Sequence, residues 1–262
     1  MKFPLILSWD LWRRRWSRGW ANGSAHAAIV HLPATLLPAL HEAGSAGSVN
    51  EDGHSAADSV RTAAKTDAPV LWIGGSEPLE HSEVGRVAFA LNAKGRNVFV
   101  HTNGQQLRQR IHEFRPEPRL FLTVEMAGRE EIHDQSVRKP GAFRRVIEGI
   151  RAAKLSGFHV CAHVTATDGL HPCDAGELFE YLDRYDVDGF IVSSGGLGFA
   201  AGAAAAQEKL EAVRAQVRCS RWENFSRLLE ASYAVRGVNS EAATIPVPSV
   251  AEGKARAFEE SL

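Results

Sequence analysis

The sequence predicts an α/β protein with about six parallel strands, most of them joined by helices, too few to close an eight-stranded barrel. Three observations predict it. Apolar, β-rich runs recur at 70–73, 97–102, 119–126, 158–165 and 189–193, with a further short one at 27–32. Between them, apolar residues fall at steps of three and four, as in Val84, Val87, Ala88 and Leu91, the pattern of a helix covering a sheet with one face. Such alternation joins neighbouring strands by right-handed crossovers, which makes the sheet parallel.

Taken in order, Leu5, Trp9, Trp12, Trp16 and Trp20 mark one face of a helix whose remainder carries Arg13, Arg14, Arg15 and Arg18. That helix suits two roles: packing on the body with its arginines outward, or attachment of residues 1–20 to a membrane surface or protein partner. The first strand is 27–32, ending at Pro33. Residues 33–53, rich in Pro, Gly and Ser, read as a long loop, and 55–66 as a modest helix. The second strand follows, then a helix over 82–94 closed by Gly95, and a strand over 97–102 ending at Asn103-Gly104. Leu107, Ile111 and Phe114 mark a helix that Pro116 and Pro118 stop before the strand 119–126. Phe143, Val146, Ile147 and Ile150 give a helix over 142–155, with Gly157 as its cap. Asp174 and Glu177 have the spacing of a capping box for a helix through Leu178, Phe179, Leu182 and Tyr185. Beyond the last strand, 199–219 and the run containing Trp222, Phe225, Leu228, Leu229 and Tyr233 read as helices able to cover an open sheet edge, and the tail from Gly237 as irregular. The expected division is 1–23 as amphipathic helix, 24–198 as the barrel, and 199–262 as C-terminal helices and tail.

Composition narrows the function. The 262 residues, 44% hydrophobic, can bury one main core. Thirty Lys and Arg against 31 Asp and Glu leave no global field that would favour nucleic acid. The three cysteines, Cys161, Cys173 and Cys219, are too few and too scattered for a disulfide framework or a zinc knuckle, which points to a reducing, cytoplasmic setting. No apolar run reaches the roughly 20 residues of a membrane span, and the N-terminus lacks a signal peptide's apolar centre.

The most informative stretch is Val70-Leu71-Trp72-Ile73 running into Gly74-Gly75-Ser76-Glu77-Pro78-Leu79. A glycine pair after a buried strand lets a ligand approach bare backbone, and Glu77 places a carboxylate at the strand's C-terminal mouth, where parallel α/β folds bind ligands. With His81 close behind, this turn resembles the Gly-Gly-Glu-Pro turn of the radical S-adenosylmethionine (SAM) superfamily, with one extra serine. Thr102-Asn103-Gly104 is similar to that family's third-strand ending. Thr123-Val124-Glu125-Met126-Ala127-Gly128, followed by His133-Asp134 and Arg138, resembles its fourth-strand segment, with Ala127 where an Asp is usual, and Gly141-Ala142-Phe143 opens the next helix in the same way. The branch most resembled contains the hopanoid-biosynthesis radical SAM protein, and the likeness spans about residues 26–196.

The resemblance implies a partial (β/α)6 TIM-like barrel and a SAM site formed by Gly74, Gly75, Ser76, Glu77, Pro78, Thr102, Asn103, Thr123, Glu125 and Arg138. It also implies a [4Fe-4S] cluster on a Cys-x-x-x-Cys-x-x-Cys motif after the first strand. This chain has no cysteine before Cys161, and the aligned positions fall near Leu37, His41 and Gly44. One imidazole does not replace three thiolates. The expectation is therefore a radical-SAM-like protein with a degenerate iron–sulfur site and a retained site for SAM or another small ligand. The alternatives are a non-catalytic scaffold, or pseudoenzyme, and a metal-dependent enzyme.

The metal alternative comes from strand parity. His31, His101, Glu125, Cys161 and His163 share the parity opposite to the Val-rich positions and so point into the lumen, where His31, His101 and His163 are the candidate ligands. The competing expectation is that they are polar lumen residues hydrogen-bonded to one another or to a small ligand, with Cys161 a buried, inert thiol. Two weaker signals are Gly195-Gly196-Leu197-Gly198, a ribose or phosphate cradle or a plain turn, and His133-Asp134, a dyad or, for Asp134, a helix-start role.

Overall fold

The computed structural model describes residues 2–17, 28–33, 67–167, 169–194 and 203–240. Among them, six strands form one sheet in sequence order: β1 (Ile29–Pro33), β2 (Val70–Gly74), β3 (Asn97–Thr102), β4 (Leu120–Glu125), β5 (His159–Thr165) and β6 (Gly189–Ser193). Every neighbouring pair is parallel. The helices are α1 (Leu5–Ser17), α2 (Val84–Ala93), α3 (Leu107–Arg110), α4 (Glu130–Ser136), α5 (Ala142–Leu155), α6 (Pro172–Asp183), α7 (Ala203–Arg214) and α8 (Ser220–Ser240). The result is the open six-stranded partial barrel that the alternation implied. The loop 34–53, the helix 55–66, the three positions near Leu37, His41 and Gly44, and the glycine run 195–198 lie outside the described residues.

Several local expectations are corrected. The segment after Leu107 is one α-turn followed by a 3-10 turn, Ile111–Glu113, because Pro116 and Pro118 leave it no room to extend. The first turn of α6 is capped by His171, whose Nδ1 accepts from the Cys173 N–H at 3.2 Å, so Asp174 falls inside the helix and is not its cap. Asp134 serves a helix start as expected, but the start of the next helix. Its carboxylate accepts from the N–H groups of Gly141 at 2.6 Å and Phe143 at 2.8 Å, where α5 begins. Two backbone donors at a positive helix end hold the Asp134 carboxyl below its ordinary pKa. Gly237 to Ser240, expected to be irregular, continue α8.

The helix α8 does more than cover an edge. It packs on β6 and β1, and its aromatic face enters the lumen. Trp222 lies where a side chain on Gly189 would stand, since a Cβ there would meet its ring at 2.2 Å, and its indole N–H donates to the Asp188 carbonyl at 2.9 Å. Phe225 stacks on Phe99, which stacks on Phe121. Below this layer, α1 seals the strands' N-terminal end. Leu7 is fully buried, Phe3 meets the edge of Trp222, and Asp10 accepts from Asn97 at 2.9 Å and from Arg119 at 3.1 Å. Trp9 and Trp12 stack on each other and are half exposed, beside exposed Leu5. The side chains of Trp16 and Trp20 lie outside the described set.

Candidate functional site

The C-terminal ends of the strands surround a cavity of about 260 Å³. Its walls are the lumen-facing side chains next above the aromatic layer: Trp72 and Gly74 of β2, His101 of β3, Glu125 of β4, and His163 and Thr165 of β5. His31 of β1 and Tyr233 of α8 close the open side. A larger groove of about 710 Å³ lies outside the barrel between α2 and residues 112–115. It gathers none of the lumen histidines, and the mouth is the better candidate because chemistry-bearing side chains converge there.

The turn after β2 is held open by its carboxylate. Glu77 Oε1 accepts from the Leu79 N–H at 3.0 Å and the Thr102 hydroxyl at 2.6 Å, and Oε2 accepts from the Asn103 N–H at 2.7 Å. Thr102 in turn accepts from the Gly104 N–H, and the Asn103 side chain from the Gln105 N–H. Thr102 and Asn103 therefore position Glu77. A carboxylate offers about four acceptor sites, so these three bonds leave one on Oε2. Burial raises the Glu77 pKa, and the three hydrogen bonds oppose that rise. From the other side, the buried Arg110 of α3 fixes the 3-10 turn Pro78–Glu80, donating to the carbonyls of Leu79 and His81 and pairing with Glu113. Gly75 has a φ of 100°, and a Cβ there would meet nothing within 4 Å, so the backbone is left open. Ser76 is exposed, its hydroxyl 3.4 Å from His81 Nε2.

Inside the lumen, His101 Nε2 and His163 Nδ1 are 2.9 Å apart. His163 Nε2 lies 2.8 Å from the Ser193 hydroxyl. A Glu125 carboxylate oxygen is 3.9 Å from His101 Nε2, and the other accepts from the Thr165 hydroxyl at 3.3 Å. Burial pushes the His163 pKa well down, helped by repulsion from His101. Burial also lowers His101, against the pull of Glu125. Both rings are therefore neutral near pH 7.

The remaining candidates part from this group. His31 Nε2 is 2.7 Å from the Ser232 hydroxyl of α8, a tie between the first strand and the C-terminal helix. Cys161 is fully buried beneath His163, and burial raises its thiol pKa well above the ordinary value, which makes it inert. Thr123 is buried with its hydroxyl unpaired. Arg138 is exposed in the turn between α4 and α5, with a φ of 53°, and does not line the cavity. His133 is buried, and its Nδ1 accepts from the Ala127 N–H at 3.3 Å, so His133 and Asp134 serve different partners and form no dyad. Sequence reasoning missed Trp72, Thr165, Ser193 and Tyr233. Parity carried on from His163 would have found Thr165, and parity along β6 would have found Ser193; nothing in the sequence brings Tyr233 to β1.

The family profile described as the Radical SAM superfamily matches residues 51–182, half of the chain. The chain belongs to the radical SAM superfamily. The SAM-bound structure of SuiB from Streptococcus suis is 13% identical over 72% of this chain and 47% of that one, with a TM-score of 0.54. The HMG-CoA lyase of Brucella melitensis is 14% identical over 74% and 69% of the two chains, with a TM-score of 0.47. An archaeal TYW1 is 19% identical over 46% and 40%, with a TM-score of 0.37. The SuiB likeness is one of fold, the two lower scores support no argument, and this chain spans about half the length of SuiB. No curated protein matches the chain by sequence.

The residues present do not fit the superfamily's iron–sulfur cluster. Cys161 lies beneath the lumen, Cys173 in the first turn of α6, and Cys219 just before α8, and residues 1–160 contain no cysteine. A cluster of this kind is held by thiolates gathered at one place. The residues do fit the methionyl end of SAM: the Glu77 carboxylate has one acceptor site left for an ammonium group, beside the open backbone at Gly75. Among the described residues no helix is long and apolar enough to cross a membrane.

Proposed function

We propose that this radical SAM superfamily member is a degenerate relative that binds SAM, or a small ligand with a similar ammonium group, at the barrel mouth without cluster chemistry. The observation that carries the reading is the Glu77 clamp. The family's turn keeps its carboxylate fixed by Thr102, Asn103 and Leu79, while no cysteine stands near it. The proposed binding residues are Gly74, Gly75 and Glu77, with Thr102 and Asn103 holding Glu77 in place. A cluster would anchor the amino and carboxylate groups of SAM, so affinity without one is weak. Calorimetry with SAM on the full chain and on Glu77→Gln tests the site. Losing a charge-assisted hydrogen bond worth about 1.5–3 kcal/mol weakens binding roughly ten- to hundred-fold. Matching melting curves would show that the fold is intact. No heat from the parent protein at millimolar SAM would leave a scaffold without a ligand.

One observation favours an attachment role beside this one. Leu5, Trp9 and Trp12 form an exposed stripe on α1, next to Arg13, while Leu7 and Asp10 hold the opposite side to the barrel. Apolar anchors beside basic residues suit an anionic lipid surface, with about 1 kcal/mol from each cation. Co-sedimentation with anionic vesicles is expected at low salt and to fall at high salt and in a Trp9→Ala/Trp12→Ala variant. Equal sedimentation of the two proteins would reject the lipid role.

A further inference from the structure

We propose that His101, Glu125 and His163 form a binding site for one divalent first-row transition-metal ion inside the barrel mouth, in the cavity that Gly74 and Gly75 also line, and able to take the ion without SAM. The three side chains come from adjacent strands, and one ligand atom from each lies within 4.8 Å of the others. The pair His101 Nε2 and His163 Nδ1, at 2.9 Å, already has a separation suited to two ligands of one ion. With metal–nitrogen bonds of about 2.1 Å, neighbouring ligands stand about 3.0–3.5 Å apart. Glu125, at 3.9 Å, is half exposed and needs only a small side-chain movement to close the set.

The surroundings are those of a ligand set. Ser193 holds the far nitrogen of His163 at 2.8 Å, and Thr165 holds the far oxygen of Glu125 at 3.3 Å, as outer hydrogen bonds orient metal ligands. With His163 Nε2–H donating to Ser193, Nδ1 presents its lone pair towards the cavity. In the metal-free protein His101 Nε2–H meets that lone pair. Moving the His101 proton to Nδ1 frees the second ligand without changing the charge of either ring. The Trp72 ring walls the pair, with centroids 5.3 Å from His101 and 5.6 Å from His163. Two imidazoles and a carboxylate suit zinc and iron, and the cavity beside them leaves positions for water or substrate. His31, whose Nε2 is 2.7 Å from the Ser232 hydroxyl, does not fall within this group.

The test uses the full chain stripped by a chelator, with Co²⁺ and Zn²⁺ as probes. Calorimetry follows both ions, and visible absorption follows cobalt. One equivalent of each is expected to bind at micromolar concentration. Glu125→Gln and His101→Gln are each expected to weaken binding more than ten-fold, and Ser193→Ala about ten-fold. Glu125 is exposed, so its variant is expected to melt like the parent and separates loss of a ligand from loss of fold. A parent protein that binds neither ion would overturn the site. So would binding that survives both Glu125→Gln and His101→Gln unchanged.

Discussion

Two layers of one lumen, one above the other on the same strands, have opposite characters. On β3 the inward side chain changes from Phe99 to His101, on β4 from Phe121 through Thr123 to Glu125, and on β5 from Cys161 to His163 and Thr165. The lower layer is filled by Trp222 and Phe225 of α8, both buried, with Phe225 stacked on Phe99 and edge-on to Trp222. The upper layer encloses a cavity, with imidazoles, a carboxylate and hydroxyls on its wall. Among the described residues, α8 packs on β1 and β6 at the open side of the barrel: its aromatic end makes the floor, and a cavity remains above it.

The sharpest way to break the comparison is to empty the floor. Trp222→Ala removes a fully buried indole and its hydrogen bond to the Asp188 carbonyl, and a loss of about 3–5 kcal/mol is expected in chemical denaturation. A loss below about 1 kcal/mol would mean that α8 is not the floor. A smaller effect comes from Asp188, at the edge of that floor, which bonds Lys154 at 2.7 Å and the Val160 N–H at 2.7 Å. Burial would raise its pKa, but the hydrogen bonds from His159, Lys154 and Val160 outweigh burial and hold it below the ordinary value. The folded protein thus binds this proton less readily than the unfolded chain. The stabilisation is complete above the unfolded pKa of about 3.9 and fades as pH falls through the folded one. Asp188→Asn is expected to cost about 1–3 kcal/mol at pH 7 and progressively less in acid. A cost that does not change between pH 7 and pH 3 would contradict this. In the mouth, by contrast, Glu125→Gln is expected to change stability by less than about 0.5 kcal/mol while weakening the proposed metal binding, since its side chain is exposed. A large loss of stability would move Glu125 into the floor's class.

Much of this was legible because strands and helices announce themselves by period. The short β-rich runs read as strands, and alternation along 97–102, 119–126 and 158–165 already aimed His101, Glu125 and His163 inward. Their meeting was not legible, because it depends on the register that sets Glu125 beside His163 across two strands. The Trp222 insertion was hidden for a related reason: the helix pattern was plain, but its berth is the missing side chain of Gly189, 33 positions earlier in the chain. The same holds for Asp134 and His171, whose roles depend on backbone donors that local patterns do not reveal. On α1 the pattern left two roles open. Its most conspicuous side chains, Trp9 and Trp12, are half exposed, and Leu7 and Asp10, which no periodicity singles out, hold the helix to the body.

The central claim is that a radical SAM barrel has kept its mouth and lost its cluster. Anaerobic reconstitution of the full chain with iron and sulfide, followed by desalting and assay of both elements with the absorption spectrum, tests it most directly. A colourless protein without acid-labile sulfide is expected, with any retained iron at no more than one equivalent and dependent on Glu125 and His101. Stoichiometric iron and sulfide that survive desalting, with cluster absorbance, would contradict it.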